Sequence, residues 1–267
     1  MNATIFYFSA TGNSLHIAKS IAARLEGSTL VPMIRSLPDE RVAAGTACIG
    51  FVFPTHYFGV PPLVTQFIKK LDMNKVQYSF AVTTCGSRII NSGLRQVGNL
   101  LRQKGKHLDA GFHIEMVSSY IPLSNLPPLA KQQQRLAAAD RKIQNIVDLI
   151  LAKASVHEPE YLWLPSVAIN NYWQQKLLVQ ADRKFSCSSA CNSCGVCAKV
   201  CPADNIRLVN GKPEWQHRCQ ECLACLHFCP THSIDFGSRT AGRRRYHHPA
   251  VQVSEIINAK GGKQPGR

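Results

Sequence analysis

Over residues 1 to about 155, short apolar runs alternate with longer segments whose apolar residues recur every three or four positions. Thr4–Phe8, Thr29–Ile34, Ala47–Phe53, Ser79–Thr84 and Gly111–Val117 are short and rich in Val, Ile, Phe or Thr, which predicts five strands. Between them lie helical patterns. Asn13–Leu25 places Leu15, Ala18, Ile21, Ala22 and Leu25 on one face. Leu63, Phe67, Ile68 and Leu71 do the same in a second segment, and Leu94, Val97, Leu100 and Leu101 in a third. Ile143, Ile146, Val147, Ile150 and Leu151 form the face of a fourth. Strand and helix in this alternation predict an α/β fold: a doubly wound parallel sheet of five strands with helices on both faces.

The pattern weakens after residue 120. Tyr120–Leu129 carries Pro122, Pro127 and Pro128 and is expected to be a loop. Glu158–Lys184 holds Trp163, Trp173, Leu177, Leu178 and Val179 and reads as a connector with one helix. Gly237–Arg267, rich in Gly, Lys and Arg at its ends, is expected to be partly disordered. The expected division is therefore 1–155 for the α/β domain, 156–182 for a helical connector, 183–237 for a small second domain, and 238–267 for a basic tail.

Charge changes this picture only after the cysteines are counted. The 267 residues carry 31 Lys and Arg against 16 Asp and Glu, a formal net charge of +15. Such an excess suggests nucleic acid or an anionic membrane. The chain also has 11 cysteines. If eight of them held two iron–sulfur clusters, these would contribute roughly −4. A bound phosphate monoester would add about −2 more. The loaded chain would then sit at about +9: still basic, but less so than the bare count suggests, and no nucleic acid is expected as a partner. Met1–Phe8 has no basic stretch before an apolar one, and no run of 18 apolar residues occurs. A reducing cytoplasm, without a membrane span, is the expected location.

Two cysteine runs dominate the candidate chemistry. Cys191, Cys194, Cys197 and Cys201 are followed by Pro202, and Cys219, Cys222, Cys225 and Cys229 by Pro230, both with x2-x2-x3 spacing. That spacing wraps three thiolates round one face of a [4Fe–4S] cubane, and the fourth cysteine ligates the other cluster. The expected sets are Cys191, Cys194, Cys197 and Cys229 for one cluster, and Cys219, Cys222, Cys225 and Cys201 for the other. Paired Cys-x2-Cys motifs also occur in zinc sites, but a repeated four-cysteine run ending in Pro favours iron–sulfur. The repeat resembles a bacterial two-cluster ferredoxin over residues 183–237, including the matched Asn205-Ile206 and Ser233-Ile234. Cys187 reads as a spare thiol outside the pattern, and Cys48 as a core residue of a strand.

The first strand runs into Phe8-Ser9-Ala10-Thr11-Gly12-Asn13-Ser14 and a helix. Hydroxyls, an amide and helix N–H groups there suit a phosphate without a cationic partner; a plain N-cap by Ser9 or Thr11 is the simpler reading. Two further loops follow strands three and four: Pro54-Thr55-His56-Tyr57-Phe58-Gly59 and Thr84-Cys85-Gly86. All three sit at strand C-termini, where doubly wound sheets bind ligands. Ser9, Thr11, Gly12, Asn13 and Ser14 resemble the phosphate loop of the flavodoxin family, and Pro54, Thr55 and Gly59 its second loop. The resemblance implies a flavodoxin-like sheet of order 2-1-3-4-5 and FMN as cofactor. With the cysteine repeat, the whole chain resembles flavodoxin–ferredoxin fusion proteins, whose second domain is a small α+β two-cluster ferredoxin. The family often has Tyr where this chain has His56, so His56, Tyr57 and Phe58 are all candidates to stack on the flavin. Cys85 is a candidate neighbour of the ring's pyrimidine end.

The expected function is electron transfer between a protein redox partner, two [4Fe–4S] clusters and FMN. An FMN-dependent reductase of a quinone, azo compound or activated alkene is the alternative, with His56 and Tyr57 lining its pocket. No catalytic residue is assigned, and no nicotinamide fingerprint appears. Arg243-Arg244-Arg245-Tyr246-His247-His248 is expected to be a solvated run, or a docking site for an acidic partner.

Overall fold

The computed structural model describes residues 1–37 and 39–261. The chain forms two compact units. The first comprises Met1–Ser9, Asn13–Val117 and Pro128–Asn171; the second comprises Ala10–Gly12, Ser118–Pro127 and the chain from Tyr172 onward.

In the first unit the elements run β1 (Ala3–Tyr7), α1 (Asn13–Ala22), β2 (Thr29–Pro32), β3 (Val42–Ala43), β4 (Cys48–Pro54), α2 (Pro62–Lys70), β5 (Leu71–Asp72), β6 (Tyr78–Cys85), α3 (Gly93–Arg102), β7 (Ala110–Glu115), α4 (Leu129–Leu151), β8 (Val156–His157) and α5 (Trp163–Tyr172). The main sheet has the order β2-β1-β4-β6-β7-β8, and its pairings are parallel. Its first five strands are the five expected, in the 2-1-3-4-5 order. The sixth, β8, pairs only Val156 and His157 with β7, too short to show a period in sequence.

β1 and β6 are buried along their whole length. Helices cover both faces of such a strand, so it reads as a continuous apolar run. α1 packs with α4, and α2 with α3. Phe6, Phe51, Phe53 and Phe67 fill one layer of the core, with the Phe6 and Phe67 rings 4.9 Å apart. At Gly50 the close approach is to Phe80: a Cβ there would lie 2.2 Å from the ring.

In the second unit the chain passes through one π turn and a 3-10 segment to β9 (Phe185–Cys187), α6 (Val196–Val200), β10 (Ile206–Val209), β11 (Lys212–Trp215), α7 (Ala224–His227), β12 (Ile234–Phe236) and α8 (Val253–Ala259). β9 pairs antiparallel with β12, and β10 with β11. The second hairpin turns on Asn210-Gly211, with φ of 49° and 77°, the left-handed pair that a tight hairpin requires.

The tail expected to be partly disordered carries structure instead. Thr240, Tyr246, His248 and Val251 are buried, and α8 opens with a capping box formed by Gln252 and Glu255. The arginine run is likewise not a free solvated stretch. Arg243 donates to the Ile121 carbonyl, Arg244 to those of Leu126 and Pro127, and Arg245 pairs with Asp235 at 2.8 Å. The run misleads in sequence because most of its acceptors are backbone carbonyls, which leave no mark there. Residues 262–267 of the expected tail lie outside the described residues.

Candidate redox sites

The two cysteine runs fold alike. In each, the residue two after the first cysteine is left-handed: Ser193 at φ 60° and Glu221 at 49°. So is the residue two further on, Gly195 at 72° and Leu223 at 59°, which opens α6 or α7. Asp204 and His232 repeat the pattern beyond the fourth cysteines, at 50° and 51°. Left-handed backbone at non-glycine positions persists only where the surroundings enforce it.

Cys201, Cys219, Cys222 and Cys225 line one pocket, together with Phe185, Ile206, Trp215 and Leu223. Three of these cysteines come from the second run and one from the first. The donor set of four thiols in an apolar wall fits a cubane, which binds through soft thiolate sulfur. Cys197 in turn feels Cys194, Cys229 and Cys191, the members of the other expected set. Among the described residues no three His, Cys, Asp or Glu side chains converge tightly enough to grip a single metal ion. A cubane holds its thiolates further apart, at the corners of a larger body.

Burial pushes the Cys222 thiol up to about 12, with the nearby Cys201 adding to the shift. Cys197 rises to about 11, and Cys201, Cys219 and Cys225 rise too, all chiefly by burial. Thiols held neutral in this way ionise when iron replaces their protons. Cys229 differs. Burial raises it, but hydrogen bonds from Ser233 and Thr231 outweigh burial and bring it below the usual thiol range. Cys191 is also lowered, first by the Ser193 N–H. Cys194 is exposed, so the first set opens further to solvent than the second, where Cys219 and Cys222 are half-buried and Cys201 and Cys225 buried. Backbone N–H groups reach sulfur at Cys201 (from Asn205, 3.3 Å) and Cys219 (from Glu221, 3.2 Å).

Two polar anchors here were not anticipated. Glu221 accepts Trp173 Nε1–H at 2.9 Å and Tyr120 O–H at 2.6 Å. His227 lies between the Ser119 carbonyl (2.7 Å) and the Tyr246 N–H (3.1 Å), and burial lowers it to about 4. Cys187, at partial exposure, joins β9. Cys48 is buried in β4, and burial raises it to about 11.

The three loops expected to hold a flavin follow β1, β4 and β6. Thr11, Asn13 and Ser14 are buried. Asn13 Nδ2 donates to the Val117 carbonyl at 2.9 Å, and the Ser14 and Thr84 hydroxyls lie 2.7 Å apart. The loop delivers its hydroxyls and N–H groups at the N-terminus of the ten-residue α1, a donor set that fits a phosphate dianion. Ser9 is half-buried and Gly86 exposed. Gly12 has φ 97°, and a Cβ on it would lie 3.0 Å from Cβ of both His248 and Val251. Thr11 accepts the His248 N–H at 2.8 Å. Sequence reading ties Gly12 to phosphate; the structure also ties it to close packing within the second unit.

The second loop makes a tight turn. Thr55 donates to the Thr84 carbonyl at 2.9 Å. His56 and Gly59 exchange both backbone hydrogen bonds, at 2.9 and 3.1 Å, around Tyr57 (φ 44°) and Phe58 (φ 68°). Two bulky left-handed residues in succession cost about 1–3 kcal/mol each. The His56 ring meets Phe8 edge-on at 6.1 Å, while Tyr57 and Phe58 occupy the turn's tip, half-buried. Pro54 ends β4. Cys85 is buried at the end of β6, its Sγ 3.8 Å from the Ile114 carbonyl. Burial, helped by Glu115, pushes that thiol up to about 12, so it stays neutral.

Behind β6 lies a buried polar cluster that the sequence did not announce. His113 Nδ1 is 2.6 Å from the Thr83 hydroxyl and 3.3 Å from Asn91 Nδ2, and its Nε2 is 3.8 Å from Glu160. Glu160 accepts the Leu94 and Arg95 N–H groups at the start of α3. Burial lowers His113 to about 4 and raises Glu160.

Among the described residues no helix is long and apolar enough to cross a membrane. Residues 4–90 match the flavodoxin domain family, and residues 190–234 the 4Fe–4S dicluster domain family. No curated protein matches the chain. Similar solved structures include a flavodoxin from the domain Archaea (13% identity, 55% of this chain and 99% of that one, TM-score 0.33). Rubredoxin oxygen:oxidoreductase from Desulfovibrio gigas is another (20% identity, 57% and 36%, TM-score 0.34). A third is the Trp repressor binding protein of Bacillus subtilis (16% identity, 53% and 96%, TM-score 0.34). By its two family matches the chain carries a flavodoxin domain followed by a 4Fe–4S dicluster ferredoxin domain, the pairing of an electron-transfer iron–sulfur flavoprotein.

Proposed function

We propose that the chain relays electrons between a protein redox partner, two [4Fe–4S] clusters and FMN. The observation that carries this reading is the single cavity walled by Cys201, Cys219, Cys222 and Cys225. It joins a cysteine of the first run to three of the second, as a crossed two-cluster arrangement requires. The nearness of Cys194, Cys229 and Cys191 to Cys197 supports the set that Cys191, Cys194, Cys197 and Cys229 would form.

When bound, the clusters supply one-electron couples and FMN a group that takes electrons singly or in pairs. The protein's part is to hold and tune. Thiolates of the two sets bind iron, and N–H groups of Asn205 and Glu221 stabilise charge on sulfur. The apolar wall of Phe185, Ile206 and Leu223 limits water at the set of Cys201, Cys219, Cys222 and Cys225. Exposed Cys194 marks the first set as the one a partner reaches. The excess of positive charge suits an acidic partner. On the flavin side, Thr11, Gly12, Asn13 and Ser14 bind the phosphate, and the Pro54–Gly59 and Thr84–Gly86 loops flank the ring.

The test is anaerobic purification with iron, sulfide and flavin assays, followed by reduction with an acidic ferredoxin or flavodoxin at rising salt. Loss of rate with salt supports an acidic partner. A salt-independent rate removes it.

A further inference from the structure

The turn that carries Tyr57 and Phe58 is built from residues ill suited to it. Both are left-handed, and neither is glycine. Such a turn holds its shape only where neighbours impose it. Three side chains do so, one just before α3, one on α3 and one on α5. Ser92, buried just before α3, donates to the Phe58 carbonyl from both its backbone N–H (2.8 Å) and its hydroxyl (2.9 Å). Gln96 Oε1 accepts the Val60 N–H at 2.7 Å. Its Nε2 donates to Asn170 Oδ1 at 3.2 Å, and Asn170 Nδ2 donates to the His56 carbonyl at 2.8 Å.

The two carboxamides thus form a bridge from the carbonyl that opens the turn to the N–H that leaves it. Each link fixes the orientation of the next. Gln96 must offer its oxygen to Val60, so its nitrogen faces Asn170. The oxygen of Asn170 is then taken, and its nitrogen faces His56. Asn170 is fully buried on α5. Gly59 has no left-handed φ to explain it. A Cβ there would lie 2.4 Å from Asn170 Cγ. Gly59 is therefore the space into which the Asn170 carboxamide fits.

We propose that Asn170, acting through Gln96 and against Gly59, is the positioning residue for the Tyr57–Phe58 turn, and that α5 thereby sets how the chain grips the flavin ring. The inference rests on the reading of the Pro54–Gly59 loop as a wall of the flavin site. Asn170 touches the turn's backbone and acts on the ring only through it.

The experiment uses the full chain, reconstituted with FMN, as wild type and as Asn170→Ala, Gln96→Ala and Gly59→Ala. Three quantities are read: the FMN dissociation constant, the residual flavin fluorescence at saturation, and hydrogen exchange at Phe58, Gly59 and Val60. Each variant is expected to weaken FMN binding at least tenfold, raise the residual fluorescence and speed exchange at these amides. Iron content should match wild type. Gly59→Ala should lose less, by about tenfold, when made together with Asn170→Ala, because the clash is then gone. Gln96→Ala, at a half-buried position, keeps the test alive where Asn170→Ala folds poorly. Wild-type affinity and quenching in folded Gln96→Ala and Asn170→Ala would overturn the inference alone. A wild-type chain that takes up no FMN would overturn the flavin reading and this inference with it.

Discussion

The indole N–H of Trp173 donates to Glu221 at 2.9 Å, within the second cysteine run. Glu221 lies between Cys219 and Cys222, and Tyr120 O–H occupies its other oxygen at 2.6 Å. The loop that presents those cysteines is thus pinned by a carboxylate, with one donor from the connector and one from the proline-rich loop. Glu221→Ala removes the acceptor from two donors and should cost about 1–3 kcal/mol for each. The expected outcome is a lower Tm and faster iron loss, read by a chelator assay. A variant with wild-type Tm and iron retention would show that the pin is dispensable.

The crossed ligand sets make a directional prediction. Cys229→Ser should damage the cluster held mainly by the first run, and Cys201→Ser the one held mainly by the second. Electron paramagnetic resonance of the reduced protein separates the two. Loss confined to the run that carries the substitution would contradict the crossing.

Buried His113 makes the flavodoxin unit acid-sensitive. Burial lowers its folded value to about 4, against 6.5 in the unfolded chain. Between these values the unfolded chain binds more protons, so stability falls as pH drops through that window. Up to about 3 kcal/mol is at stake. His113→Gln should flatten the fall in Tm between pH 6.5 and pH 4; an unchanged slope would remove His113 as its source.

The arginine run should behave as structure. Arg245 is buried against Asp235, and Arg244 bonds two carbonyls. Arg245→Ala leaves Asp235 without that partner and should cost about 2 kcal/mol in chemical denaturation. An unchanged midpoint, with weaker association to an acidic partner, would return the run to a docking role.

Much of the fold was legible because fully buried parallel strands leave unbroken apolar runs, as in Cys48–Pro54 and Tyr78–Cys85. The cysteine spacing was legible because a cubane demands it. What stayed hidden joins distant residues through backbone groups. His56, Gln96 and Asn170 form one bridge across 114 positions, and the sequence shows only two isolated amides and a ring. Gly59 and Gly12 were assigned to the flavin for the same reason: the sequence marks a missing side chain but not what fills the space. In the structure Asn170 fills one, and His248 with Val251 fills the other. The arginines of the tail looked solvated because most of their acceptors are carbonyls.

The central claim is that one chain holds two clusters and a flavin. The most direct measurement is iron, acid-labile sulfide and flavin per chain on protein purified and kept without oxygen. The account predicts about eight irons, about eight sulfides and about one FMN. Fewer than about six irons, or a chain without FMN after reconstitution, would contradict it.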